Sequence, residues 1–123
     1  MNALALIAAL ALSAGKPSPL DAALASSLND PSSVTQYRAS GEVSCEGLFN
    51  FPVTPAYFPA CYCYQLNAKN TLGGYTGLQT GVATIVDGKV ALRPSADLAY
   101  NVDDVCTKRG MKKLDPAAIR SAM

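Results

Sequence analysis

The sequence predicts an α+β fold made of an N-terminal helix, an antiparallel sheet of three or four strands and a C-terminal helix, with disulfides joining these elements. Three observations predict it. A capped apolar stripe follows Ser18, two β-prone runs flank Asp87-Gly88, and four cysteines occur in a chain of 123 residues. A chain of this length holds one domain with a modest core, so cross-links are expected to add to its stability.

The first fifteen residues have the anatomy of a signal peptide. Residues 3–12 are Ala, Leu and Ile only, and three small residues follow at positions 13–15. As a helix this run extends about 15 Å, roughly half the hydrocarbon thickness of a bilayer, so no stable membrane span is expected after leader removal. Lys16 stands where a lipobox would carry its cysteine, which argues against lipidation. We expect a leader over residues 1–15 and a single domain over residues 18–123, periplasmic or secreted; the alternative is an N-terminal helix that stays attached.

The domain begins with a predicted amphipathic helix. Ser18, Pro19 and Asp21 favour a helix start, because a hydroxyl cap, a first-turn proline and an acid near the positive end of the helix dipole each stabilise it. The apolar stripe has a leucine at every fourth position, and Asn-Asp-Pro at residues 29–31 ends the helix. The stripe consists of Leu20, Leu24 and Leu28.

Three segments have strand character. Residues 34–45 carry a partly alternating pattern broken at Ser40-Gly41, which predicts one bent strand or two short ones. Residues 60–67 alternate cysteines with tyrosines, so Cys61 and Cys63 are expected on one face. Residues 82–92 are expected to form a hairpin, since Asp87-Gly88 tolerates the positive φ angles of a type I′ turn.

The remaining segments predict a loop and two more helices. Residues 48–59 contain three prolines among aromatic side chains, which favours an extended loop. Ser95 is a candidate cap for a second helix, whose apolar face would include Cys106 and which Gly110 would end. Asp115 and Pro116 predict a last short helix. The sheet and helices would form two layers.

The four cysteines predict two disulfides in an exported chain, and three pairings are formally open. Cys61 and Cys63 lie about 6.5 to 7 Å apart on one strand face, at the limit for bridging each other. We favour Cys45 with Cys61 and Cys63 with Cys106, because the helix face that carries Cys106 must pack on the sheet. No CxxC motif is present to hold a metal. We expect no metal and no cofactor.

Charge and the catalytic repertoire exclude several function classes. The net charge is +1, which gives no reason to expect nucleic acid as a partner. Half of the cations lie in the last sixteen residues, where we interpret them as solvated charges. Without histidine the chain lacks the commonest general base and every Ser-His or Cys-His pair. Glu42 and Glu46 would lie about 13 Å apart on a strand, too far for a glycosidase pair.

Aromatic side chains are concentrated between Phe49 and Tyr75, where seven of the nine occur. They either fill the core beneath the loop or line a recognition surface, since Tyr and Phe are common in both settings. Tyr57 and Phe58 are the candidate binding residues of this loop.

Residues 63–79, CYQLNAKNTLGGYTGLQ, together with Leu-Asn-Asp-Pro-Ser-Ser at residues 28–33, resemble a pattern in small exported proteins of proteobacteria and phages. Many of these relatives are lipoproteins of unknown activity, so the resemblance implies export and an α+β layout without naming a reaction. This chain departs from them by lacking the lipobox cysteine and by carrying Cys45 and Cys61. Within the motif the candidate binding residues are Asn67, Lys69, Asn70 and Tyr75; their alternative role is turn formation.

The leading functional hypothesis is a non-enzymatic envelope or surface protein that binds an unidentified protein or envelope component, or that has a structural role. One alternative is a small thiol-redox factor that uses Cys61 and Cys63, or an enzyme that uses Lys69 with a carboxylate. Another is an inhibitor of an envelope enzyme that inserts the aromatic loop.

Overall fold

A five-stranded antiparallel sheet forms the centre of the computed structural model, which describes residues 17–69, 72–75 and 77–123. The strands are β1 (Gln36–Ala39), β2 (Ala60–Asn67), β3 (Gln79–Val86), β4 (Lys89–Leu92) and β5 (Lys112–Leu114), in the spatial order β4-β3-β2-β1-β5. The helices are α1 (Pro19–Ser27), α2 (Val102–Lys108) and α3 (Ala117–Ser121). The predicted α+β class is confirmed. The predicted leader and Asn70 lie outside the described residues.

Helix α1 starts where the sequence predicts. The Ser18 side chain accepts a hydrogen bond from the Asp21 N–H at 3.1 Å, and the Asp21 carboxylate accepts one from the Ser18 N–H at 2.8 Å. This reciprocal capping box satisfies two N–H groups that a helix start otherwise leaves unpaired. Leu20 and Leu24 are buried, and the helix packs against β4 and α3.

Strands β1 to β4 follow one another as neighbours in the sheet. Strand β2 has the predicted bounds, and the expected break after β1 is present: pairing stops at Ala39, and Val43 then forms an isolated bridge with Cys61. The predicted hairpin joins β3 to β4. Asp87 and Gly88 have φ angles of 53° and 75°, the left-handed conformations that a type I′ turn requires.

Both faces of the sheet are covered, whereas the sequence predicted two layers. On one face, α1, α3 and the sheet bury a core that includes Leu24, Tyr37 and Ile119. On the other face, the loop of residues 43–59 and helix α2 cover a second core that contains all four cysteines. Core packing was one of the two alternatives for the aromatic loop, and its apolar side chains together with α2 form the third layer.

Two disulfides join this second core to the sheet, and the favoured pairing is confirmed. Cys45 is bonded to Cys61 and Cys63 to Cys106, with Cα–Cα distances of 5.2 and 5.7 Å. Cys61 and Cys63 share a strand face, so β2 holds the loop and helix α2 at once. Two disulfides point to folding in an oxidising environment outside the cytoplasm.

The prediction of one helix starting at Ser95 is wrong. Ser95–Asp97 is a single 3-10 turn, Leu98 then forms a β-bridge with Phe49, and helix α2 begins only at Val102. Backbone bonds to the aromatic loop replace helical ones at this point: the Asp97 carbonyl accepts from Asn50, and the Ala99 N–H donates to the Leu48 carbonyl. A helix prediction from local sequence cannot detect such long-range bonds.

Strand β5 was not predicted either. Lys112 and Lys113 were interpreted as solvated charges and their residues are exposed, but the backbone of Lys112–Leu114 pairs with β1 and closes one edge of the sheet. Short strands with lysines are typical of sheet edges, because the charges discourage pairing with another chain. The predicted last helix is present as α3, with Pro116 at its N-cap position.

Candidate functional site

The sheet has one edge that is only half covered. Strand β4 pairs with residues 83–86 of β3, and the last backbone bond runs from the Arg93 N–H to the Val82 carbonyl at 2.8 Å. Pro94 has no N–H to donate, and the 3-10 turn at Ser95–Asp97 carries the chain away from the sheet. Among the described strands none lies beside Thr80 and Gly81 on this side. The first half of β3 is therefore an open edge.

A cavity of about 300 Å³ lies along this open edge. We call it the edge groove. Leu28 and Leu66 line it from the side of the sheet that carries α1, and Leu98 lines it from the side that carries the disulfides. Its volume is at the lower end of the range for ligand pockets, which combine apolar walls with a few polar groups.

Tyr64 and Gly81 form part of the wall of the edge groove. The Tyr64 ring lies directly across Gly81 on the neighbouring strand, where a Cβ atom would overlap the ring carbons and hydroxyl. The glycine is required here by space rather than by a positive φ angle. Burial raises the pKa of the Tyr64 phenol to about 12, so the hydroxyl stays protonated near neutral pH.

Two cations, Lys69 and Arg93, also line the edge groove. The Arg93 guanidinium donates to the Asp97 carboxylate at 2.7 Å, and its central carbon lies 5.2 Å from the Phe58 ring centroid. The Arg93 Nε is buried and has no hydrogen-bond partner within the described part of the chain. No carboxylate is among the described residues that line the groove. The site therefore has positive character.

The structure brings two of the four motif candidates, Lys69 and Tyr75, together around Ser33. The Lys69 N–H donates to the Ser33 hydroxyl at 2.9 Å, and the Tyr75 hydroxyl donates to the Ser33 carbonyl at 3.0 Å. Lys69 and Tyr75 also form a β-bridge, with the ammonium 5.9 Å from the ring centroid. The Asn67 carbonyl accepts from the Thr35 N–H at 2.9 Å. Of these residues only Lys69 lines the edge groove, and Asn70 lies outside the described residues.

The two candidates in the aromatic loop have different surroundings. Phe58 is 8% exposed and packs in the disulfide-side core, whereas Tyr57 is 68% exposed and lies edge-on to Phe58 at 4.7 Å. Phe58 is not among the residues that line the groove, but its ring contacts Arg93, which is. The position of Phe58 favours the packing role, and Tyr57 is the solvent-facing ring.

The catalytic alternatives gain no support from the geometry. All four sulfurs are in disulfides and buried, so an attacking thiol has no access to them. Within the described ranges the two ion pairs are Arg93–Asp97 and Lys108–Asp104, and neither involves Lys69. In the same residues no three His, Cys, Asp or Glu side chains are grouped as metal ligands would be.

Sequence reasoning missed most of the edge groove. The candidates did not include Arg93, Gly81 or Tyr64. The groove that they line exists only because β4 does not extend along the first half of β3. Two local signals were present. Gly81 interrupts a β-prone run, which often marks a close approach, and Pro94 follows directly after β4.

The fold and the site define a small disulfide-linked α+β protein with a groove at an open sheet edge. Comparison of the chain with protein-family models, with curated proteins and with solved structures gave no match. None of the helices in the described residues is long and apolar enough to cross a membrane.

Proposed function

We propose that this chain is an exported, non-enzymatic protein of the periplasm or cell exterior, which binds another macromolecule through the edge groove. The observation that carries the proposal is the open half of β3, flanked by apolar walls and two cations. Strand addition at an open sheet edge is one of the recurring ways in which folded domains bind a polypeptide, and apolar clefts are the usual setting of ligand sites. The two buried disulfides support export, because such bonds persist in oxidising compartments.

Export is tested by the intact mass of protein recovered from the periplasmic fraction of a bacterium that expresses the full chain. We expect a mass that lacks the leader and four hydrogens, two for each disulfide. A full-length mass in the cytoplasm, with four thiols that react with iodoacetamide, would contradict the proposal.

Binding through the groove is tested with one blocking variant and one matched control. Ser95 lines the groove and is exposed, so Ser95→Trp should fill the groove without disturbing the core. Ala96 is the exposed neighbour that does not line it, so Ala96→Trp adds the same side chain elsewhere. In pull-downs from envelope extract, a partner held by wild type and by Ala96→Trp should be lost with Ser95→Trp. A partner retained equally by both variants would place the binding site elsewhere.

A further inference from the structure

We propose that the edge groove binds the C-terminal end of an extended polypeptide by strand addition to β3, with an aliphatic last residue and a free carboxylate. This inference rests on the proposed function and names the ligand of the same site. Three features of the groove support this proposal: its main-chain groups, its apolar walls and its charge.

The main chain of Thr80 provides the pairing groups. Because the Val82 carbonyl accepts from Arg93, the peptide groups of Val82 face the β4 side of the sheet. Peptide groups two residues apart along a strand point to the same side, so the N–H and C=O of Thr80 point into the open half. The Thr80 hydroxyl is engaged elsewhere, since it accepts from the Gln65 side chain at 3.0 Å. An added strand would exchange two hydrogen bonds with Thr80, as in other sheets that receive a peptide at an edge.

The walls of the groove fit an added strand with apolar side chains. Successive side chains of a strand point to opposite faces of the sheet. An added strand would thus direct one side chain towards Leu28 and Leu66, and the next towards Leu98. Because the walls that these side chains would meet are leucines, aliphatic side chains of the ligand would bury apolar surface against them.

The positive charge of the groove favours the C-terminal end of a polypeptide over an internal segment. Lys69 and Arg93 line the groove without an acidic residue among its described walls, and Asp97 neutralises one of the two cations. The cation that remains is Lys69, which forms none of the ion pairs found in the described residues. A terminal carboxylate would balance this positive charge, which an internal peptide segment would not do.

A fatty acid is the other ligand with an apolar chain and a carboxylate. It has no amide groups, so it would leave the N–H and C=O of Thr80 without partners inside a filled groove, which is unfavourable. The open backbone edge therefore favours a peptide.

The proposal is tested by fluorescence anisotropy with a labelled pool of hexapeptides that end in Val, Ile or Leu with a free carboxylate. We expect saturable binding to the oxidised wild-type protein. The same peptides with a C-terminal amide should bind at least tenfold more weakly, and so should peptides N-methylated at the residue that faces Thr80. Decanoate should not displace the peptides. Failure of the whole pool to bind, equal affinity of the acid and amide forms, or displacement of the bound peptides by decanoate would overturn the proposal.

Variants at Thr80 test the strand addition from the side of the protein. Thr80→Pro removes the N–H that faces the open edge, whereas the control Thr80→Val removes only the hydroxyl. We expect at least a tenfold loss of peptide affinity for Thr80→Pro and near wild-type affinity for Thr80→Val, with circular dichroism confirming the fold. If Thr80→Pro does not fold, the N-methylated peptides give the same information from the ligand.

The two proposals can fail separately. A partner that Ser95→Trp loses, together with no binding by the peptide pool, would leave the groove as the binding site and refute the C-terminal peptide as its ligand. Retention of all partners by Ser95→Trp would refute the groove as the site of the proposed function.

Discussion

The two disulfides should stabilise the protein unequally, because they close loops of different length. Cys45–Cys61 spans 16 residues and Cys63–Cys106 spans 43 residues. The two loops do not overlap along the chain, so each disulfide restricts its own segment of the unfolded state. In the chain-entropy model they contribute about 3 and about 4 kcal/mol respectively, a difference of about 0.9 kcal/mol.

The perturbation is the removal of each disulfide as a pair of alanines: Cys45→Ala with Cys61→Ala, and Cys63→Ala with Cys106→Ala. All four sulfurs are buried, so the loss of packing is similar in the two double variants and the difference reports loop closure. Domains of this size have about 5–15 kcal/mol of total stability, so either loss is a large fraction of the whole.

The assay is guanidinium unfolding at pH 7, followed by circular dichroism and extrapolated to water. We expect the variant without Cys63–Cys106 to have the lower free energy of unfolding by about 1 kcal/mol. Equal free energies, or a larger loss when Cys45–Cys61 is removed, would refute loop closure as the source of the difference. The wild-type protein unfolded with and without reductant is the reference.

Other parts of the fold give three further predictions. Tyr37→Phe should lower the free energy of unfolding by about 2 kcal/mol in urea titrations, because the buried Asp21 carboxylate loses the hydroxyl that donates at 2.7 Å; an unchanged midpoint would contradict this. Burial and the Asp21 carboxylate raise the pKa of Tyr37, and burial raises that of Tyr64 to about 12. The contribution of these tyrosines to stability should therefore be constant below about pH 9.5 and fall as the pH rises above 10, by about 1 kcal/mol per pH unit for each tyrosine; melting temperatures that stay constant from pH 9 to pH 11.5 would refute it. Gly81→Ala should cost about 2 kcal/mol or more through overlap with the Tyr64 ring, whereas Gly41→Ala, with open space around it, should change the melting temperature little; equal melting temperatures would contradict the close approach.

Elements with a complete local signal were predicted correctly. Strand β2, the Asp87-Gly88 hairpin and the capped start of α1 each depend on residues that are adjacent in sequence. The disulfide pairing also followed, because alternation along β2 places Cys61 and Cys63 on one face and thereby limits the available partners.

Part of the candidate site could be predicted and part could not. Lys69 was selected from its motif and does line the edge groove, whereas Arg93, Gly81 and Tyr64 were not selected. The groove arises because β4 ends opposite Ala83, which leaves the first residues of β3 without a neighbouring strand on that side. The length of β4 is set by the direction that the chain takes after it. Here Pro94 and the bonds between residues 97–99 and the aromatic loop decide that direction.

The sequence by itself determined the helix start, the hairpin turn, the alternation of β2 and the need for covalent cross-links. Each of these features depends on residue type and on the spacing of residues close together in the chain. Only the tertiary structure decided that Lys112–Leu114 becomes an edge strand beside β1, that the helix predicted from Ser95 begins at Val102, and that an open edge remains on β3. These features depend on backbone hydrogen bonds between segments far apart in the chain, and such pairings are selected by the packing of the whole domain.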